Sequence, residues 1–305
     1  MVEGGIFMNA SRKNRIKLSK SDLVYQIIIF TVVGIVAFIC VFPLLYVVGM
    51  SLTSEGEMIR RNYFVIIPHD PTLRAYQTVF SQASIGSAML VSIGRTLLGS
   101  VASLVFPILG GYILSRIDLP GRKAFLIFFI ITMILSGGMI PTYLLMKKLH
   151  LINTFWVYII PAMGSCYNML IIKMFVENMP LDIMESADLD GTSELQKMMY
   201  IAIPLLVPTI CAIWLFSAVG QWNSWFDVML YIHNPKLYSL SYVVKQLMTS
   251  FTFTDTTANL QPLDRMTPEG LKMASVVIAV VPILCIYPFL QKYFIYGVYT
   301  GSVKG

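Results

Sequence analysis

The sequence predicts an all-α membrane protein with six transmembrane helices. Apolar residues make up 56% of the 305-residue chain and charged residues only 12%, about half of the roughly 25% that a soluble domain carries. The apolar residues gather into runs long enough, at about 1.5 Å rise per residue, to cross about 30 Å of hydrocarbon. Runs of that length are not strand-sized, and a backbone in lipid must satisfy its own hydrogen bonds, which a helix does. So few charges could not cover this much apolar side chain in water, which excludes a soluble enzyme, a nucleic-acid binder and a disordered linker.

Six segments qualify as spans: Val24–Met50, Ala88–Leu114, Ala124–Met146, Phe155–Phe175, Ile201–Gly220 and Ala274–Phe294. The first is too long for a signal-peptide core and no small-residue cleavage site follows it, so it reads as an uncleaved anchor. Five cations, Arg12, Lys13, Arg15, Lys17 and Lys20, precede it, as they do on a cytoplasmic flank. With that end inside, the inner segments hold twelve Lys and Arg and the outer ones nine, with Arg95 inside the second span. The bias is carried by the first two inner segments, and early segments dominate orientation. Both termini are therefore expected in the cytoplasm of a multi-pass protein of the cytoplasmic membrane.

The chain divides into a basic tail (1–23), the first helix (24–50), an outer connection (51–87), a core of five spans (88–294) and a C-terminal tail (295–305). The core includes an inner loop (177–200) and a second outer connection (221–273). Both outer connections mix Pro, Asn, Asp and aromatic residues and are expected to form ordered caps. The four cysteines (Cys40, Cys166, Cys211, Cys285) and three histidines (His69, His150, His233) stand singly, so neither a disulfide framework nor a metal site is expected.

The inner loop carries the most information. Pro180 suits a first helical turn and Gly191 a C-terminal stop. Ser193 with Gln196 makes a capping box that opens a second helix, running through Met198, Met199 and Tyr200 into the fifth span, where Pro204 and Pro208 should bend it. On the first helix Ile183, Met184 and Ala187 share a side, with Asp182, Glu185 and Asp188 over the rest. From Glu177 to Glu194 there are six carboxylates and no cation, which anionic lipid head groups would repel. The residues alone leave two readings open: a docking helix for a basic, grooved protein, or a solvated loop kept out of the membrane by its charge.

The order Glu185-Ser186-Ala187, three residues, Gly191, nine residues, Ile201-Ala202-Ile203-Pro204 resembles the EAA loop of the inner-membrane permeases of binding-protein-dependent ABC importers. Ser186 stands where the family usually has Ala, and Ile203 where it has Leu. Gly111-Tyr112-Ile113-Leu114-Ser115-Arg116 with Pro120-Gly121-Arg122 resembles the family's second inner connection. Trp222-Asn223, Gln291-Lys292-Tyr293-Phe294 and the terminal Gly301-Ser302-Val303-Lys304-Gly305 are similar to its carbohydrate-uptake branch.

The resemblance implies a type I ABC importer permease fold with a cytoplasmic EAA coupling helix. It implies half of a translocation path, completed by a second homologous permease. Two cytoplasmic ATPase subunits would use ATP and Mg, and an extracytoplasmic solute-binding protein would deliver a carbohydrate, of oligosaccharide type. The chain would be no enzyme and bind no cofactor itself. ATPase coupling would fall to Glu185, Ser186, Ala187, Asp190, Gly191, Ile201 and Pro204: Glu185 meeting a basic group, Ala187 allowing close packing, Gly191 turning the chain. Gly301, Lys304 and Gly305 would reach toward the ATPase. The residues agree with this division of labour, because no Gly-rich phosphate loop ending in Gly-Lys-Ser or Gly-Lys-Thr is present.

Polar residues in or near the spans are candidates for the substrate path: Arg95, Asn168, Trp222 and Asn223, with Gln221 and Asp227 beside them. Arg95 either lines the path or pins one helix to another. Trp222, Trp225 and Phe226 either stack on a sugar or anchor the interface. Gly110-Gly111 and Gly137-Gly138 suit close helix approach or a local break. A stand-alone secondary transporter or channel would need paired intramembrane charges, and Asp227 is the one carboxylate placed for that. A membrane enzyme would need a nucleophile, base or metal constellation that the sequence does not offer.

Overall fold

The computed structural model describes residues 20–81, 84–135, 137–253 and 269–285. Among them the chain is helical, without a strand beyond an isolated bridge between Thr53 and Pro71. The first span is α1 (Lys20–Ser51), followed by two short helices, α2 (Glu55–Arg60) and α3 (Arg74–Ser81), in the first outer connection. The second span is α4 (Ser84–Ser115). Then come α5 (Arg122–Ile134), α6 (Met139–Lys148), two 3₁₀ turns (Phe155–Tyr158 and Pro161–Met163) and α7 (Cys166–Glu177). The inner loop holds α8 (Leu181–Leu189) and α9 (Glu194–Lys197). A π-helical stretch (Met198–Ala202) joins α9 to α10 (Ile203–Asn223). Two further helices, α11 (Phe226–Tyr231) and α12 (Leu240–Phe253), precede α13 (269–285).

Among the described residues three helices are long and apolar enough to cross a membrane unbroken: Leu23–Ser51, Ile85–Ser115 and Glu194–Asn223. Two bent helix pairs are apolar and long enough to make a crossing each if both halves belong to one span. The expected third span divides into α5 and α6, which lie at 110° to each other. Gly138, at φ +83°, caps α6 in a conformation that side chains other than Gly's resist. The expected fourth span bends by 41° between the 3₁₀ turns and α7, around Pro161 and Gly164. The expected sixth span is described only as far as Cys285, and its remainder lies outside the described residues, as do the 1–19 part of the basic tail and all of 295–305.

α4 forms the centre and packs against α7, α10 and α12. Gly110 and Gly111 let α7 approach: a Cβ on Gly111 would stand 2.8 Å from Ile172 Cβ and from the Met169 carbonyl oxygen. The two glycine pairs thus serve different ends, close packing at 110–111 and a break at 137–138. In contrast α1 has no buried side chain before Gly49 among the residues whose burial is described, and its apolar surface is left for lipid or another chain.

The connections sort to two ends of the bundle. At one end the 116–122 connection meets the 177–197 loop through Arg116–Glu194 and Arg122–Glu177 ion pairs. At the other, Asn153 accepts from the backbone N–H of His233 and Asn234 and donates its own backbone N–H to Tyr231. That end also gathers Ala75, Val79, Ile85, Trp222, Leu240 and Val243 in one apolar cluster, capped by α3 and α12. Beside it Glu57, 4% exposed, accepts from the backbone N–H of His69 and Asp70 and pairs with Arg61. Burial by itself would raise the Glu57 carboxyl. Those N–H groups, with Arg61, outweigh it and hold the carboxyl below the usual carboxylate range.

Candidate functional site

The loop 177–200 folds as a helical hairpin whose joints the local sequence explains. Asn178 closes α7, its side chain donating to the Met174 carbonyl at 2.8 Å. Pro180 stands immediately before α8 at φ −57°, as its ring allows. α8 ends in a Schellman motif: Thr192 N–H donates to the Ala187 carbonyl and Gly191 N–H to that of Asp188, both at 3.1 Å. Gly191 takes φ +68° there, with open space where a Cβ would be. Ser193 and Gln196 form the expected capping box. The wide π turn lies just ahead of Pro204, which removes the N–H that would bond the Tyr200 carbonyl.

α8 turns Met184 and Ala187 inward, 9% and 5% exposed, with Met184 in a cluster with Tyr112, Ile172, Val176 and Met198. Ile183 is not with them: it is 37% exposed and flanks Glu185 and Ser186 on the outer side. Leu189 projects at 90% exposure.

Four cations from outside the acidic stretch, or from its far edge, tie the hairpin down. Glu194 accepts from Tyr112 Oη at 3.0 Å, Arg116 Nε at 2.8 Å and Lys197 Nζ at 2.8 Å. Lys197, whose side chain is 3% exposed, also pairs with Asp188. Arg122 and Lys173 pair with Glu177, and Arg122 Nε donates to the Leu114 carbonyl at 2.9 Å. Asp182, Glu185 and Asp190 are exposed and make no ion pair among the described residues. The reading from sequence missed this clamp. Its signal was available: the Arg116–Lys123 connection, read on the same side, carries three cations opposite six carboxylates.

Of the remaining loop candidates, Ile201 is half-buried in the π turn and Pro204 exposed at the start of α10. Gly301, Lys304 and Gly305 lie outside the described residues.

A second feature sits toward the opposite end, a cavity of about 430 Å³ lined by α4, α6, the 3₁₀ turns, α7, α10 and α11. Arg95, 1% exposed, spends its donors within the protein: on Gln221 Oε1 (2.9 and 3.1 Å), the Ser224 carbonyl (3.2 Å) and Asp227 (2.5 and 3.4 Å). Its guanidinium lies 4.2 Å from the Tyr158 ring centroid. Gln221 in turn donates to the Tyr158 carbonyl at 3.1 Å and fills the space beside Gly99. Arg95 therefore joins α4 to α10 and α11. Asn168 lines the same cavity. Trp222 and Asn223 do not: Trp222 is buried and donates Nε1 to the Ala279 carbonyl at 3.0 Å, and Asn223 is exposed elsewhere.

Comparison with known proteins agrees with this architecture. Residues 123–298 match the family described as the binding-protein-dependent transport system inner membrane component. The chain is 39% identical to Protein LplC of Bacillus subtilis (strain 168) over 94% of its own length and 97% of that protein's. It is 34% identical, over 92% and 98%, to the polygalacturonan/rhamnogalacturonan transport system permease protein YtcP of the same organism. A bacterial ABC transporter involved in import of the acidic polysaccharide alginate has a chain that superimposes with a TM-score of 0.79 at 26% identity, covering 91% of this chain and 99% of that one. The chain belongs to the inner-membrane component family of binding-protein-dependent transport systems. It is a multi-pass ABC permease subunit, and relatives along nearly its whole length are transport permeases for carbohydrates.

Proposed function

We propose that this chain forms half of the translocation path of an ATP-driven importer for an oligosaccharide, coupled to its ATPases through α8. The carrying observation is the clamped hairpin. α8 is packed on the ends of α4 and α7 by buried Met184 and Ala187 and tied to α9 by the Asp188–Lys197 ion pair. The segments on either side of it are held by Arg122–Glu177 and Arg116–Glu194. Glu185, Ile183 and Leu189 face outward with no ion pair among the described residues. A helix held rigidly on its inner side and unpartnered on its outer side suits docking into a cleft of another protein. Movement of that partner would pass through the continuous α9–π–α10 helix into the bundle.

In this reading six crossings leave both termini in the cytoplasm, and the two loop groupings support it. The second and fourth connections meet at one end, and the first, third and fifth at the other, as alternate crossings require. A second homologous permease would cover the apolar surface of α1 and close the path. Two cytoplasmic ATPases would supply ATP and Mg chemistry, and a solute-binding protein would deliver the sugar. The carbohydrate class is taken from the relatives, among them permeases for polygalacturonan or rhamnogalacturonan and for arabinooligosaccharides. ATP and the binding protein would drive transport by favouring different global states.

The test is Glu185→Lys, together with Gly191→Leu. Both should abolish ATPase association and sugar uptake while the chain still inserts in the membrane. Normal ATP-dependent uptake by both variants would refute the coupling role of α8.

A further inference from the structure

The cavity beside Arg95 holds one cation and one carboxylate, and they neutralise each other. Both Nη atoms and Nε of Arg95 are bonded to Gln221, Ser224 and Asp227, and Tyr158 covers its face. Nothing of that charge is left for a ligand. Asp227 keeps a quarter of its side chain exposed, so the charge that an entering group can still sense is negative.

The groups left over are neutral. Asn168, Ser217 and Tyr231 line the cavity, and their side-chain amide and hydroxyls make no hydrogen bond among the described residues. None of the three groups is fully buried among the described residues, and all three residues line the cavity, so a ligand can reach them. An amide and hydroxyls both donate and accept, as sugar hydroxyls do. A volume of about 430 Å³ falls within the roughly 300–1,000 Å³ of small-molecule sites.

We propose that this cavity is a subsite for an uncharged saccharide residue, held through its hydroxyls by Asn168, Ser217 and Tyr231, and that it disfavours carboxylate-bearing sugars. This inference rests on the permease reading above. A uronate here would bring its carboxylate toward Asp227 with no free cation to meet it, and an unpaired charge out of water is costly. A site built to hydrogen-bond hydroxyls discriminates strongly when those groups cannot be satisfied.

The experiment uses the complete importer, with partner permease, ATPases and binding protein, in proteoliposomes. Cys40, Cys166, Cys211 and Cys285 are replaced by Ser and a thiol is introduced as Ser217→Cys. Its alkylation by N-ethylmaleimide is followed with short neutral gluco-, galacto-, manno- and arabino-oligosaccharides, and with galacturonate and alginate oligosaccharides. At least one neutral sugar should slow alkylation severalfold and the uronates should not. In the otherwise native importer, Asn168→Ala should raise the half-protecting or half-saturating concentration of that sugar about tenfold, the effect of one lost hydrogen bond of the stronger kind. Uronates protecting as well as neutral sugars, or neither protecting while saccharide is transported, would overturn the subsite and leave the permease reading standing. ATP-dependent uptake of no saccharide at all would overturn the permease reading and the subsite with it.

Discussion

Replacing Asp227 should destabilise the protein far more than replacing Arg95. Arg95 is 1% exposed and sits in a membrane-spanning helix. Asp227→Leu leaves that cation buried, with Gln221 and the Ser224 carbonyl as its remaining acceptors. Breaking a buried pair this way costs about 3–5 kcal/mol, and the two surviving acceptors place the expectation near the lower figure. Arg95→Leu leaves a different remnant. Asp227 still accepts from Ser224 Oγ at 2.7 Å and Val228 N–H at 3.0 Å, and with 25% of its side chain exposed it can be hydrated. Removing an arginine from a span also recovers about 2.5–3.5 kcal/mol of insertion cost. Losing the charged hydrogen bonds of Arg95, about 1.5–3 kcal/mol, nearly cancels that recovery, so Arg95→Leu should change stability by about 1 kcal/mol or less. Unfolding of the purified chain in mixed micelles, followed by tryptophan fluorescence, measures both variants, and the double Leu variant should recover most of the Asp227→Leu loss. If Arg95→Leu were as damaging as Asp227→Leu, the reasoning that Arg95 is wholly occupied by its own protein would be wrong.

Three further predictions follow from other parts of the molecule. Gly111→Ala should cost about 1–3 kcal/mol, because the new Cβ meets backbone and a branched side chain at 2.8 Å, whereas Gly110→Ala meets the flexible Met169 thioether and should be milder; equal losses in the same unfolding assay would contradict this. Arg116→Ala should loosen α8 by about 1 kcal/mol, read as about fivefold faster amide exchange across 181–190 and lower uptake per ATP, while unchanged exchange would remove the clamp from the account. The Glu57 carboxyl is held below its usual range, so its contribution is complete above about pH 4.3 and fades as the pH falls through its lower folded value. Amide exchange across 55–72 should rise on acidification, and Glu57→Gln should show the raised exchange at neutral pH and lose the pH dependence.

The helical hairpin of the loop was readable in the sequence because its determinants are local. Pro180, Gly191, Ser193 and Gln196 act within a turn of where they stand, and the Schellman motif and the capping box need no distant partner. The first, second and fifth spans were equally readable, since apolar length decides them. Where spans break was less so. Gly137-Gly138 and Gly110-Gly111 are the same dipeptide with opposite uses, and only the presence of α7 against 110–111 separates them. Inward positions on α8 were legible from periodicity for Met184 and Ala187 but not for Ile183, whose exposure depends on where α8 meets the bundle.

By itself, then, the sequence determined the solvent of this chain, its helices and the turn chemistry of the loop between α7 and α10. These follow from composition and from interactions a few residues long. The tertiary structure alone decided which charges meet: Arg116 with Glu194, Arg122 with Glu177, and Arg95 with Asp227, at separations of 78, 55 and 132 residues. The cause is physical. Arg95, inside a span, is compelled to find a partner because a charge out of water is costly, while the loop pairs form where two connections are brought together. In all three cases the partner is set by how the helices pack, and that arrangement is not encoded in any short stretch of chain.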